Sequence, residues 1–250
     1  MNDMYKHLSV GFNSPLVKSQ NSLLAAVPNV EFERWAAELE WVDLKLGQVL
    51  QETGMAGTYF YFPTTSIISL LYVLKDGAST EIAVIGHEGV LGVSLLMSGN
   101  STPCRAVVQS AGAALRLRAS VIQSDFKRSD VVMHLMLRYM EALMVQMTQT
   151  AVCNRHHTLD QQLCRWLLLS LDRLRSNDLR MTQELIANML GVRREGVTTA
   201  ALKLQRSGLI EYSRGLIHVL DRKGLEARTC ECYGVVKKEY DRLLPTGATA

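Results

Sequence analysis

No stretch of this chain is apolar for long enough to cross a bilayer: runs such as Leu70 to Leu74 and Trp166 to Leu169 stop well short of the roughly 20 residues a spanning helix needs. The segment Met1 to Pro15 lacks the basic-then-apolar order of a secretory signal. Cysteine is scarce and odd in number. Cys104, Cys153, Cys164, Cys230 and Cys232 show no framework spacing, which argues against a disulfide scaffold and for reduced thiols. A cytosolic protein with no membrane association is the expectation. There is no G-x-S-x-G, no phosphate-binding glycine loop, and the strand-rich region offers only His87-Glu88 as metal ligands. Most enzyme classes therefore lose their usual signatures.

What is present suits a globular protein. With 250 residues, 48% apolar and 20% charged, the chain can bury the core of one large domain or two ordinary ones. Its net charge of +3 is unevenly spread: residues 1–159 carry 12 Lys and Arg against 13 Asp and Glu, whereas residues 160–250 carry 15 against 11. The C-terminal part is the basic one, a modest bias toward a polyanionic partner.

After a polar N-terminal arm, Glu31 to Leu50 carries Phe32, Trp35, Leu39 and Val42 at spacings that suggest short helical pieces. From Gly57 to Leu117 the composition turns β-branched and aromatic. Turn signals at Phe62-Pro63, Asp76-Gly77, Gly86, Gly89, Gly99-Asn100 and Ala111-Gly112 separate candidate strands Thr58 to Phe62, Ile67 to Leu74, Thr80 to Ile85, Arg105 to Ser110 and Ala114 to Leu117. Short strands at regular intervals predict an antiparallel barrel or roll. Asp130 to Asn154 then reads as one long helix without glycine or proline. Met133, Met136, Met140, Leu143, Met147 and Thr150 recur at alternating steps of three and four, and Leu137, Met144 and Ala151 form an adjacent stripe. Two stripes want two partners: the roll and a second copy of the helix, or two surfaces of one subunit. A further helix is expected from Leu159 to Leu174, burying Leu163, Trp166, Leu167 and Leu171, followed by a loop at Ser176-Asn177-Asp178.

The segment Gln183 to Leu202 has the residue pattern of two short helices crossing at a tight turn. Ala187 stands fifth, where the second helix passes close; Gly191 stands ninth, where the turn favours positive φ; Val197 stands fifteenth, where a branched side chain is buried. Ile186, Leu190, Val192 and Ala200 fill the remaining core positions, Thr182 is a good N-cap, and Arg206-Ser207-Gly208 a good terminus. Leu209 to Ser213 and Leu216 to Leu220 flank Arg214-Gly215 as a hairpin, which makes a winged helix. The helix beginning near Arg193 would enter the major groove, with Arg193, Arg194, Glu195, Thr198 and Thr199 at its reading end. Lys203, Arg206 and Arg214 suit phosphate contacts, which orient without reading sequence.

The order of β-roll, Met-rich long helix and winged helix, with "TQELIANMLGVRREGVTTAALKLQRSGLI" in its place, resembles the Crp/Fnr family of bacterial transcription regulators from about Glu31 to Leu220. The resemblance implies an α+β chain in three parts. Residues 1–128 would form an antiparallel β-roll of jelly-roll type, similar to cyclic-nucleotide-binding domains; residues 129–157 the dimerisation helix; and residues 158–250 a winged helix-turn-helix. It also implies a homodimer through Met133, Met136, Met140, Leu143 and Met147, bound to double-stranded DNA at an inverted repeat, with RNA polymerase as a candidate protein partner. The family's recognition helix usually opens Ser-Arg-Glu-x-Val-x-Arg, and Arg194, Glu195 and Val197 match. Arg193 replaces the capping serine and Thr199 the second arginine, so the half-site should differ from the family's best-known one.

The sensory half departs further. Family members that bind cyclic AMP use Gly-Glu-Leu for the ribose and an Arg-Ser or Arg-Thr pair for the phosphate. Here Gly92 is kept, Val93 stands in place of the glutamate, and Pro103, Cys104 and Arg105 fall where the arginine pair belongs. Cyclic AMP is not the expected effector and no cofactor is assigned; Gly92, Ser94, Cys104 and Arg105 are the residues left to touch another one. Iron-sulfur members carry an N-terminal cysteine cluster, but this chain has no cysteine before Cys104. Cys230-Glu231-Cys232 is a lone C-x-C two ligands short of a metal site, and burial in a C-terminal helix is its expected role. His156-His157 is expected at a hinge or interface. The rival readings are a cupin-like metal enzyme, and a ligand-binding protein whose helix-turn-helix touches protein alone.

Overall fold

The computed structural model describes residues 14–97, 101–174 and 177–244. The Gly99-Asn100 turn, Ser176 and most of the polar arm lie outside the described residues.

The N-terminal half begins with three helices, α1 (Pro15–Lys18), α2 (Ser22–Ala25) and α3 (Asn29–Ala36). Seven strands follow: β1 (Glu40–Leu44), β2 (Val49–Gln51), β3 (Tyr59–Pro63), β4 (Ile67–Val73), β5 (Ser79–Ile85), β6 (Arg105–Ser110) and β7 (Gly112–Arg118), with α4 (Ser94–Met97) between β5 and β6. They form two antiparallel sheets, ordered β1-β7-β3 and β2-β6-β4-β5. The faces of the two sheets carry Phe60, Phe62, Leu115 and Leu117 in one apolar cluster and Ile68, Leu70, Ile85 and Val108 in another, all buried. This is a roll, and five of its strands lie where the turn signals placed them.

One expectation fails here. Only Phe32 and Trp35 of the proposed helical pieces are helical; Val42 lies in β1, and Leu50 lies in β2. Val42 faces Ala114 across the ladder, and Arg116 grips the Glu40 carboxylate at 2.6 and 2.9 Å. Pairing with β7 overrides the weak helical spacing, as cross-strand contacts commonly do.

Helix α5 (Ala119–Arg128) leads through Ser129 into α6 (Asp130–His156), 27 residues long. The length agrees with the sequence, but the assignment of faces needs correction. Met136 and Leu143 are fully or almost fully buried within the subunit, Leu143 inside the roll's own cluster. Met133, Met140 and Met147 are half-buried, whereas Leu137 and Met144 are exposed. The stripe left free is the adjacent one, Leu137, Met144 and Ala151, flanked by the half-buried Met140 and Met147. The roll takes the larger share of the apolar surface because it reaches the helix on the side of Leu135, Tyr139, Ala142 and Gln146, all buried.

His157 ends α6 and Thr158 starts α7 (Leu159–Arg173) through a capping box with Gln161. The rest comprises β8 (Asp178–Arg180), α8 (Gln183–Leu190), α9 (Arg194–Arg206), β9 (Ile210–Ser213), β10 (Leu216–Val219), α10 (Arg222–Arg228) and α11 (Glu231–Leu243). Asp178 opens a strand instead of closing a loop: β8 pairs with β10 and makes the wing a three-stranded sheet, β8-β10-β9. Leu163, Trp166, Leu167 and Leu171 of α7 are all buried, as their spacing requires. Helix α11 returns antiparallel along α6, with Arg242 paired to Glu141 and Tyr240 Oη accepting from Gln146. Among the described residues, no helix is long and apolar enough to cross a membrane.

Candidate nucleic-acid interface

The turn between α8 and α9 is built as its sequence demands. Thr182 accepts a hydrogen bond from the Leu185 amide and starts α8, and Gly191 ends it in the left-handed region at φ 65°. Val192 donates back to the Ala187 carbonyl at 3.0 Å, closing the turn. Ala187, Val197 and Ala200 are buried where the helices cross, and Ile186 and Leu190 beneath them. Arg193 occupies the N-cap of α9 without a side-chain capping bond, so the amides of its first turn are left without the usual hydroxyl partner. Those amides sit beside the outward-facing Arg193, Arg194 and Glu195, at the end of the helix where positive potential collects.

The reading face is open. Arg193, Arg194, Glu195, Thr199, Lys203, Arg206 and Arg214 are exposed. Thr198 is half-buried and its hydroxyl lies 2.7 Å from Gln183 Oε1, tying the start of α8 to α9. That makes Thr198 part of the scaffold as much as of the surface. Thr199 turns its hydroxyl back to the Glu195 carbonyl. Lys203 departs from the expectation of a free phosphate ligand: its ammonium pairs with Asp160 Oδ2 of α7 at 3.1 Å. Beside the helix, a cleft of about 440 Å³ is lined by Gln183, Glu184, Arg194, Tyr212 and Arg214 among others. The hairpin that forms its far wall turns at Arg214 (φ 49°) and Gly215 (φ 76°), the two left-handed residues of a tight I′-type turn. Tyr212 holds the wing to the turn before α8 by donating to the Met181 carbonyl at 2.8 Å. Neither Tyr212 nor β8 stood out in the sequence; the alternation in Ile210–Ser213 was the available signal for Tyr212.

In the roll, a second cavity of about 280 Å³ lies between α4, the strands and α6. Gly92, Val93, Ser94 and Cys104 line it, together with Met140, Leu143, Met144 and Met147 of the long helix. Arg105 does not; it pairs with Glu52 at 3.2 Å. Among the described residues no charged side chain lines this cavity. Gly92 is required there, because its φ is 122° and an added Cβ would meet the Phe60 ring at 3.0 Å. Gln51 also lines it, and its buried amide nitrogen has no hydrogen-bond partner. His87 and Glu88, the ligands a cupin-like site would need, are otherwise engaged: His87 Nδ1 is 3.5 Å from Ser22 Oγ, and Glu88 pairs with the buried Arg173 at 2.9 Å. Cys230 and Cys232 are buried as expected, His156 is exposed, and His157 caps α6.

A jelly-roll-type domain, a long helix and a three-stranded winged helix compose the fold of the Crp/Fnr regulators, and residues 161–228 match the family model of the Crp-like helix-turn-helix domain. Solved structures share the fold across most of the chain. A Crp/Fnr-family transcriptional regulator from Eubacterium rectale superposes with a TM-score of 0.66 at 20% identity, covering 84% of this chain and 98% of that one. FixK2 from Bradyrhizobium japonicum gives 0.67 at 17%, covering 77% and 98%. The c-di-GMP-responsive regulator CLP from Xanthomonas campestris gives 0.61 at 14%, covering 78% and 100%. No curated protein matches by sequence.

Proposed function

We propose that the chain is a homodimeric transcription regulator that reads inverted-repeat DNA through α9. The observation that carries this is the reading end of that helix: Arg194 and Glu195 stand exposed on a first turn fixed from below by buried Val197 and from behind by left-handed Gly191. Arg suits guanine O6 and N7 in the major groove, and Glu suits cytosine N4. The wing supplies Arg214 to a phosphate. A two-fold axis along the free stripe of α6 would present two such helices, and successive half-sites then fall about one helical turn apart.

The cavity beside α6 is the place for an effector, and its apolar wall disfavours cyclic AMP: nothing charged is available to hold a phosphate. An apolar compound with a hydrogen-bond acceptor for Gln51 fits better.

Selection of bound duplexes from a random pool, using the whole chain, tests the function and returns the half-site. Enrichment of an inverted repeat is the expected result; no enrichment over the starting pool contradicts sequence reading. On the selected duplex, Arg194→Ala should cost about 1–3 kcal/mol and relax preference at one base pair per half-site.

A further inference from the structure

The end of α6 and the start of α11 bring together four side chains that the sequence keeps apart. Cys153 and His157 lie one turn apart on α6 and its cap, and Cys230 and Cys232 come from the far side of the winged helix, at the N-cap and second residue of α11. Their Sγ and imidazole nitrogen atoms all lie within 4.8 Å of one another. Cys153 Sγ is 3.5 Å from Cys230 Sγ, and Cys232 Sγ is 3.5 Å from His157 Nδ1. A tetrahedral zinc ion with Zn–S near 2.3 Å and Zn–N near 2.0 Å has ligand-to-ligand edges of about 3.5–3.8 Å. The cage is of the right size.

Ordinary core packing accounts poorly for this group. The three cysteines are buried as a cluster of their own, separate from the main apolar core. Three thiols brought together find mainly one another as polar partners. The histidine is oriented as a ligand is: its Nε2 lies 3.3 Å from Glu231 Oε2, leaving Nδ1 toward the sulfurs. A carboxylate on the outer nitrogen is the arrangement that fixes the tautomer of metal-bound imidazole. Gln162 holds the backbone beneath by donating to the His157 carbonyl at 2.9 Å.

We propose that Cys153, His157, Cys230 and Cys232 form a closed four-ligand site for a zinc ion. Three thiolates and one imidazole favour zinc over harder divalent ions, and four protein ligands leave no open position for catalysis. Binding releases the thiol protons and forms three Zn–S bonds and one Zn–N bond, with no change of oxidation state. The ion would fasten the C-terminal helix to the end of the long helix, with ligands contributed from both sides of the winged-helix module. It thereby clamps the α6–α7 junction at His157-Thr158.

The test is metal binding by the whole chain, stripped with chelator under reducing conditions and titrated with zinc and with cobalt as a spectroscopic substitute. One equivalent per chain is expected, with intense d–d and sulfur-to-cobalt charge-transfer bands of tetrahedral thiolate coordination. Cys230→Ser should lose those bands and Cys104→Ser, outside the cluster, should keep them. Glu231→Gln, an exposed change with little reason to unfold the chain, should weaken zinc affinity by about 10- to 100-fold while coordination stays tetrahedral. The proposal is overturned if the reduced wild type takes up no stoichiometric metal, if Cys230→Ser binds as the wild type does, or if Glu231→Gln leaves affinity unchanged. It is equally overturned if peptide mapping of the protein purified without reductant shows a disulfide between Cys153 and Cys230 in place of bound metal.

Discussion

Trp166 of α7 donates its indole N–H to Glu81 Oε1 of β5 at 3.0 Å, inside the contact between the winged-helix half and the roll. The other carboxylate oxygen is 2.5 Å from Ser69 Oγ, which is 2.7 Å from Gln109 Oε1, and Gln109 in turn donates to Ser170 of α7 at 3.1 Å. The chain of bonds leaves α7 at one residue and returns one turn later. Ser69 has a single hydroxyl proton. If Glu81 is ionised that proton goes to the carboxylate and Gln109 loses its donor; if Glu81 is protonated it donates to Ser69, and Ser69 donates to Gln109. Every partner is satisfied in the neutral form.

Burial pushes Glu81 up to about 7 from its ordinary 4.5, against the opposing pull of Ser69, Arg165, Trp166 and Arg173. The folded state therefore holds a proton that the unfolded state releases between about pH 4.5 and 7. The group's contribution to stability is full below the unfolded value, declines as the pH rises through that window, and is lost above it, on the order of 3 kcal/mol in all. Glu81→Gln keeps the neutral hydrogen-bond pattern. Thermal melts across this range should show a decline in the wild type that is reduced in the variant, with the variant the more stable near pH 8. Parallel pH profiles would mean that Glu81 does not titrate there.

Gly191 joins the two halves as well as making the turn. An added Cβ would meet Thr80 Oγ1 of β5 at 2.7 Å, and the residue's φ is 65°. Gly191→Ala should destabilise the chain by about 1–2 kcal/mol from the left-handed backbone alone, with a further loss from the contact. Urea unfolding of Gly191→Ala in the Thr80→Ala background separates the two, because only the second loss is relieved there. Equal losses in both backgrounds would mean that Thr80 yields without cost.

The free stripe of α6 predicts where association is sensitive. Leu137 and Met144 are exposed within the subunit, 46% and 65%, so Leu137→Glu with Met144→Glu leaves the monomer core intact while placing four like charges in a two-fold seam. Sedimentation at micromolar concentration should show the wild type as a dimer and the variant at half that mass. Leu143→Glu would be uninformative, since Leu143 packs in the roll.

Much of this architecture could be read in advance where one periodicity ruled a segment. Five roll strands, α6, α7 and the helix-turn-helix lay close to their expected bounds because alternation, heptad spacing and turn residues agreed locally. Failures came where partners distant in sequence decided. Glu40–Leu44 is a strand because β7 completes it, Asp178–Arg180 because β10 does, and Met136 and Leu143 of the expected stripe are buried because the roll packs on them. The C-x-C at Cys230 looked two ligands short for the same reason: Cys153 and His157 are brought to it by the antiparallel return of α11, which no local pattern announces.

The wing offers the sharpest separation between stability and binding. Arg214 is the one non-glycine residue with positive φ among the described residues, and an L-residue there costs about 1–2 kcal/mol. Glycine or asparagine would make the same turn with less strain, and the Arg214 guanidinium stands exposed at the hairpin tip beside the cleft that contains Arg194. Arg214→Gly should therefore raise the midpoint of thermal unfolding while weakening DNA binding. If Arg214 meets a phosphate, the loss will be similar for the selected operator and for random duplex, and the slope of log affinity against log salt will fall by about 0.9 for each contact removed. Lys203→Ala should lose less, because its ammonium already has Asp160 at 3.1 Å and must break that pair to reach DNA. Salt-dependent binding curves for both variants decide the matter. A variant at Arg214 that gains stability and keeps the wild-type salt slope would place the wing away from the backbone of the bound duplex.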